Sequence, residues 1–189
     1  MPLNNPHFRA ALERIDAANA QDPAGKELIY SQRMSAWLDR IEPGASESLR
    51  LAARAQHIRR WIIPRADYPM DRIGYLKWRT TLYKFHADEA TAILRQAGYD
   101  PPTITRVASL VRKERIKTDP EAQTLEDVIC LVFLENYFAE FAAAHDDEKV
   151  IGILRKTWKK MSERGQKMAL SLPMAADARR LVEHALSEA

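Results

Sequence analysis

TLEDVICLVFLENYFAEF, residues 124–141, is the stretch whose character settles how the chain must fold. From Val128 to Leu134 it is apolar on every side of a helix, which a globular protein tolerates only where other helices surround the segment. The run is too short to span a bilayer, and Asp127 and Glu135 bracket it. It reads as a central core helix, and Val128, Leu131, Val132 and Phe138 are expected to be buried on several of its sides. Two acids, Glu126 and Asp127, stand at the head of this apolar run, where an ionised carboxylate is costly unless paired or metal-bound. Either they face out at the helix entrance or they mark a site.

Upstream, Asp119-Pro120 supplies the start signal of that helix. Pro101-Pro102 opens a shorter one carrying Ile104, Val107, Leu110 and Val111, followed by a polar loop. A long helix capped by Asp71 runs through Leu76, Tyr83, His86 and Ile93 to a stop at Gly98. Ser46 caps a helix through Leu49, Ala52, Ala53, Gln56 and His57 that is expected to run until Pro64 ends it. Asp22-Pro23 begins another, with Tyr30, Met34, Trp37 and Ile41 on one side and Pro43-Gly44 as its stop. The first helix starts at Asn5-Pro6 and ends near Ala20. Downstream, Asp146 caps a helix through Val150, Ile153, Leu154, Thr157 and Met161, expected to close at Gly165. Beyond it lie one short helix, a break at Pro173 and a last helix with Leu181, Val182 and Ala185 facing inward. No segment alternates with period two over more than four residues. The expectation is an all-α chain, a bundle of about seven or eight helices around the buried central one.

A length of 189 residues suits one domain with a substantial core, and no composition shift divides residues 1–189. The formal charge of +3 is too small for a general nucleic-acid coat, although local basic patches remain compatible with it. The single cysteine, Cys130, excludes an internal disulfide and falls within the apolar run. The start, MPLNNPHF, has no basic region followed by an apolar stretch, so the expectation is a cytoplasmic protein with no membrane partner.

Three residues that fall at interior positions can carry chemistry: His57, His86 and Asp127. Imidazole and carboxylate together suit a divalent metal such as manganese, iron, zinc or nickel, and bundles hold metals with side chains from different helices. A single histidine on a helix face is more often a satisfied structural group. The run RLAARAQHIRRWIIPR, residues 50–65, carries five arginines and no acid. It reads either as a solvated helix face or as an anion-binding patch, since Arg59, Arg60 and Arg65 follow His57 closely and guanidinium forks suit phosphate and carboxylate.

The order of the strings YSQRM, LAARAQHIRR, HADEA and DPEAQTLEDV, from about Tyr30 to Leu134, resembles the HD superfamily, all-helical proteins that are mostly metal-dependent phosphohydrolases. In that resemblance His86 matches the histidine before an alanine, and Asp127 matches the final metal-binding aspartate. The defining His-Asp pair is replaced: Gln56 stands where the family has histidine, His57 where it has aspartate, and Tyr30 at the first histidine. Lys113 occupies a position often filled by another histidine. Two readings follow. Either His57, His86 and Asp127 form an altered three-ligand metal site, or the scaffold has lost its metal and His57 pairs with Asp127 in a buried hydrogen bond.

The string Lys160-Met161-Ser162-Glu163-Arg164 looks like a signature loop of class I aminoacyl-tRNA synthetases, but those enzymes need a nucleotide-binding parallel sheet for which this chain has no strands. The bland reading is the basic last turn of a helix. The leading functional expectation is an HD-like hydrolase of a small phosphorylated or anionic metabolite. In it Glu126 or Gln56 orients a water on the metal, and Arg59, Arg60, Arg65 and Lys113 hold the anion. The competing expectation is a non-catalytic module whose arginine-rich patch docks a nucleotide, RNA or an acidic partner.

Overall fold

The computed structural model describes residues 5–187, and among them every regular element is helical, with no strand. The chain divides into two compact units, residues 1–125 and 126–189. The first holds α1 (Pro6–Asn19), α2 (Lys26–Ile41), α3 (Glu47–Ala55), α4 (Arg72–Gln96), α5 (Pro101–Val111) and the start of α6 (Pro120–Asn136). The second holds the rest of α6 with α7 (Phe138–Ala143), α8 (Asp147–Trp158), α9 (Glu163–Leu170) and α10 (Ala176–Ser187). No helix among the described residues is long and apolar enough to cross a membrane.

In the first unit α3 touches α1, α2, α4 and α5. Its composition explains why: Ala52, Ala53 and Ala55 are fully buried and let neighbouring backbones approach closely, while Leu49 and Leu51 fill the remaining space. Ile15 and Ala18 of α1, Ala90 of α4 and Ile58 close around the end of α3. Capping side chains set most of the starts. Asn5, Ser46, Asp71 and Asp100 each accept a backbone N–H of the first turn they precede. The long helix α4 ends in a Schellman motif, with Gly98 N–H on the Arg95 carbonyl and Tyr99 N–H on that of Leu94. Gly98 has φ +86°, and the ring of His7 lies 2.8 Å from where a Cβ would stand, so both conformation and space call for glycine there.

In the second unit α8 and α10 pack together and α7 lies against both. Val128, Leu131, Val132 and Phe138 are buried, as the apolar run demands, and Cys130 is buried among them. Asp146 caps α8 through Lys149 N–H, and Ser162 caps α9 through Gly165 N–H.

Several boundaries differ from the sequence reading. The helix expected to reach Pro64 stops at Ala55, because Arg59 takes up a left-handed conformation that an α-helix does not admit. A single 3-10 turn, Arg60–Ile62, follows it. Asp22 does not begin α2 directly; its carboxylate gathers the amides of Ala24, Lys26 and Glu27 across the turn, and α2 starts at Lys26. The central helix is interrupted at Tyr137. The basic string at Lys160 is not the last turn of α8, which ends at Trp158; Ser162 instead opens α9.

Candidate functional site around His57

Five stretches of the first unit meet around His57. The face of α2 that buries Met34 also presents Glu27 and Tyr30, three residues apart. The end of α3 delivers Gln56 and His57, and α4 contributes Trp78 and His86. Arg60 comes from the 3-10 turn, and Lys113 from just beyond α5. The chain reaches this arrangement through left-handed backbone at Arg59 (φ 51°) and Lys113 (φ 59°), each costing about 1 kcal/mol for a residue with a Cβ. At Arg59 the cost is offset locally: its N–H donates to Asn19 Oδ1 at 3.1 Å, and its guanidinium reaches Glu89 at 3.2 Å and Gln21 at 3.4 Å.

His57 is stacked on Tyr30, with ring centroids 4.0 Å apart and planes within 10°, and lies 5.9 Å from His86. Arg60 donates to its Nε2 at 3.0 Å. Because a guanidinium has no acceptor, Nε2 must be the bare nitrogen, which places the proton on Nδ1, 3.8 Å from Glu27 Oε2. Burial holds His57 well below the usual imidazole range, and the Arg60 guanidinium, His86 and Lys113 push the same way. It is therefore a neutral ring at physiological pH, with a quarter of its side chain (24 %) still open to solvent.

His86 is fixed just as firmly. Its Nδ1–H donates to the Ile58 carbonyl at 2.8 Å, so Nε2 carries a lone pair. Burial pushes this ring down to about 4, the nearby Arg60 charge adding to the effect and the Ile58 bond opposing it. His86 Nε2 and Gln56 Oε1 are both buried without a hydrogen-bond partner among the described residues. Two buried acceptors thus await donors, a rare situation in a settled core. Glu27 is shifted the other way. Burial raises its carboxyl to about 7, with Asp22 adding to the rise and Arg60 and Lys26 opposing it.

The cations around this centre lie on aromatic faces. Arg60 sits 4.8 Å from the centroid of Trp78, Arg79 lies 5.4 Å from Tyr83, and Lys113 Nζ lies 5.6 Å from the same tyrosine. Arg60 forms no ion pair with a carboxylate among the described residues, its direct polar contact being with a neutral imidazole.

The other residues singled out by sequence occupy different positions. Arg59 is tied to Glu89, and Arg65 clamps the turn ahead of α4 through the carbonyls of Tyr68 and Asp71. Both therefore serve local structure. Glu126 and Asp127 belong to the second unit. Glu126 is buried with Lys160 Nζ 3.9 Å away. The Asp127 carboxylate accepts from Ser162 N–H at 2.8 Å and Ser162 Oγ at 2.5 Å, fixing the residue that caps α9. Gly165 makes this possible, since a Cβ there would lie 2.7 Å from Asp127 Cγ.

Among the described residues no three His, Cys, Asp or Glu side chains are grouped as metal ligands. Besides the Glu27 carboxyl, the charged groups that bear on His57 are Arg60 and Lys113, which repel a further cation. The donor set thus does not fit the divalent metal that the HD resemblance implies. Glu27 was missed by the sequence reading, although one signal was there: a glutamate three residues before Tyr30, on the apolar face of an amphipathic helix.

No curated protein and no solved structure matches the chain. Residues 9–182 match a family model described as a domain of unknown function, DUF4202. That match covers nearly the whole sequence, and the chain belongs to the DUF4202 family.

Proposed function

We propose that the first unit binds a small phosphorylated or otherwise anionic metabolite at the His57 cluster. One observation carries this reading: Arg60, partly buried, is hydrogen-bonded to a neutral imidazole instead of a carboxylate, so its charge has no counterion in contact. Lys113 reinforces the positive field at the same ring. The buried acceptors His86 Nε2 and Gln56 Oε1 favour a ligand that also carries hydroxyl or amino donors. The test is calorimetry with inorganic phosphate and a panel of phosphate monoesters, nucleotides included, at two salt concentrations. Binding that weakens with salt and falls tenfold or more in Arg60→Ala is expected. Absence of binding, or equal binding to the variant, overturns the reading.

A second reading, hydrolysis of that ligand, is favoured by Glu27. A carboxyl brought to about 7 beside a neutral imidazole is half ionised near neutrality, so it can accept a proton from water and return it to a leaving group. The resemblance to the HD phosphohydrolases, in which Gln56 and His57 stand at the family's His-Asp pair, supports the same class of chemistry. Release of phosphate from a monoester by the parent protein but not by Glu27→Gln is the expected result. Unaltered turnover in that variant removes Glu27 from the chemistry.

A further inference from the structure

Helices α4 and α5 end in the same hydrogen-bonded turn, built on different residues. At the end of α4 the left-handed position is filled by Gly98. At the end of α5, Lys113 N–H donates to the Leu110 carbonyl at 2.9 Å and Glu114 N–H to that of Ser109 at 3.1 Å, again a Schellman motif, and the left-handed position is filled by Lys113 (φ 59°). Glycine takes this conformation without strain, whereas the Cβ of a lysine crowds the backbone carbonyl. Both hydrogen bonds of the turn are made by backbone atoms, so a glycine would preserve them. The non-glycine residues with positive φ among the described residues are Arg59, Lys113 and Arg115, and all are cations. Arg59 is accounted for by its ties to Asn19 and Glu89. Lys113 is accounted for by where it sends its charge, since strain of this kind is kept where a side chain must be held in one place.

Lys113 Nζ lies 5.6 Å from the ring centroid of Tyr83, three residues before His86 on α4, and its charge is felt at the His57 ring together with that of Arg60. The two cations come from separate segments, the 3-10 turn that follows α3 and the turn that ends α5. Arg60, in contact with His57 Nε2, supplies one positive charge, and Lys113 supplies a second. The Glu27 carboxyl, 3.8 Å from His57, is raised by burial to about 7, and an anion bound beside it keeps it protonated, so it does not cancel either cation. Two positive charges beside neutral imidazoles match an anion with two negative charges. A phosphate monoester carries close to two at neutral pH, whereas a phosphodiester or a single carboxylate carries one. We propose that Lys113 is a specificity-determining residue of the His57 centre, held in a left-handed turn so that the centre selects a dianionic phosphate monoester over singly charged anions. This inference rests on the anion-binding reading of that centre.

The test is calorimetry on the full chain at pH 7 with methyl phosphate and dimethyl phosphate, which differ by one methyl group and one charge, paired with melting curves. The parent should bind the monoester about tenfold more tightly than the diester. In Lys113→Gly that preference should vanish while the melting temperature rises by about 2 °C, because the left-handed strain is relieved. Lys113→Gln, which keeps the strain and loses the charge, should lose the preference with no gain in melting temperature, and Lys113→Arg should retain it. Arg115→Gly is the control: it lies in the same loop, is left-handed (φ 57°) and exposed, and should melt higher with the preference intact. A parent that binds both esters equally, or a Lys113→Gly protein that keeps the preference, overturns the assignment and leaves the anion-binding reading in place. So does loss of the preference in Arg115→Gly, which would make the selection a property of the whole loop, or a lower melting temperature in Lys113→Gly, which would make the lysine a structural residue. A parent that binds neither ester overturns both readings.

Discussion

Two buried polar centres, one in each unit, differ in how completely they are satisfied. In the second unit Asp127 accepts from both the amide and the hydroxyl of Ser162, and Gly165 leaves room for the carboxylate between α6 and the start of α9. That centre is a fastening: two elements are joined through one side chain, and its purpose is served within the chain. In the first unit, His57 and His86 are held just as rigidly, but the atoms left over are a guanidinium without a carboxylate and two acceptors without donors. A fold does not keep such groups buried for stability, since each costs on the order of 1–3 kcal/mol when unpaired. The difference separates a buried polar group that builds the protein from one that awaits something else.

The contrast can be broken by substitution. The largest effect is expected from Asp127→Ala, which strips two hydrogen bonds from a buried carboxylate and loosens the cap of α9. A loss of about 3 kcal/mol in chemical denaturation is expected, with a smaller loss for Asp127→Asn because its amide oxygen still accepts. Phosphate affinity should be unchanged in both. Gly165→Ala should cost about 2 kcal/mol by overpacking the same carboxylate, again without touching binding. Arg60→Ala should do the reverse. Phosphate affinity should fall at least tenfold, about 1.4 kcal/mol, while stability drops by no more than about 1 kcal/mol from the lost stacking on Trp78.

The pH dependence sharpens the comparison further. Glu27 has a folded value raised to about 7 above an ordinary 4.5, so the unfolded chain releases this proton first, and stability falls as pH rises between those values. His86 has a folded value lowered to about 4 from an ordinary 6.5, so the unfolded chain binds this proton first, and stability falls as pH drops through that window. The two slopes oppose each other between roughly pH 4.5 and 6.5. Above pH 7 only the Glu27 penalty remains, and Glu27→Gln should be more stable than the parent there by about 1 kcal/mol while closing the gap at pH 4. Melting curves from pH 4 to 8.5 check both signs. The smallest effect is expected at the exposed pair Lys84 and Asp88, where Lys84→Ala should change stability by less than about 0.5 kcal/mol.

Helix type and most starts were legible in the chain because they rest on local chemistry: the caps at Asn5, Ser46, Asp71 and Asp146, the prolines Pro101 and Pro102 and the apolar run from Val128 are readable within a few residues. The end of α3 was not legible, because Arg59 turns left-handed for the sake of Asn19, a residue 40 positions away. The site was half legible. His57, His86, Arg60, Gln56 and Lys113 were singled out, and the structure brings His57, Arg60, His86 and Lys113 within electrostatic reach of one another. Glu27 was overlooked because a glutamate on a helix is unremarked until something buries it, and its shift is a property of the packed unit. Asp127 is the opposite case. Its position beside the apolar run signals a buried carboxylate, but only the return of the chain at Ser162, 35 residues later, reveals the partner it has there.

The indole of Trp78, buried and overlaid by the Arg60 guanidinium, gives the protein an optical property of its own. A cation held against the ring perturbs its excited state, and an anion that draws Arg60 away changes both the intensity and the wavelength of emission. Three other tryptophans contribute to the signal, at positions 37, 61 and 158. In a background where these are phenylalanine, the intrinsic fluorescence becomes a direct titration of the His57 centre. Compounds can then be screened in solution without a label, and before any reaction is known.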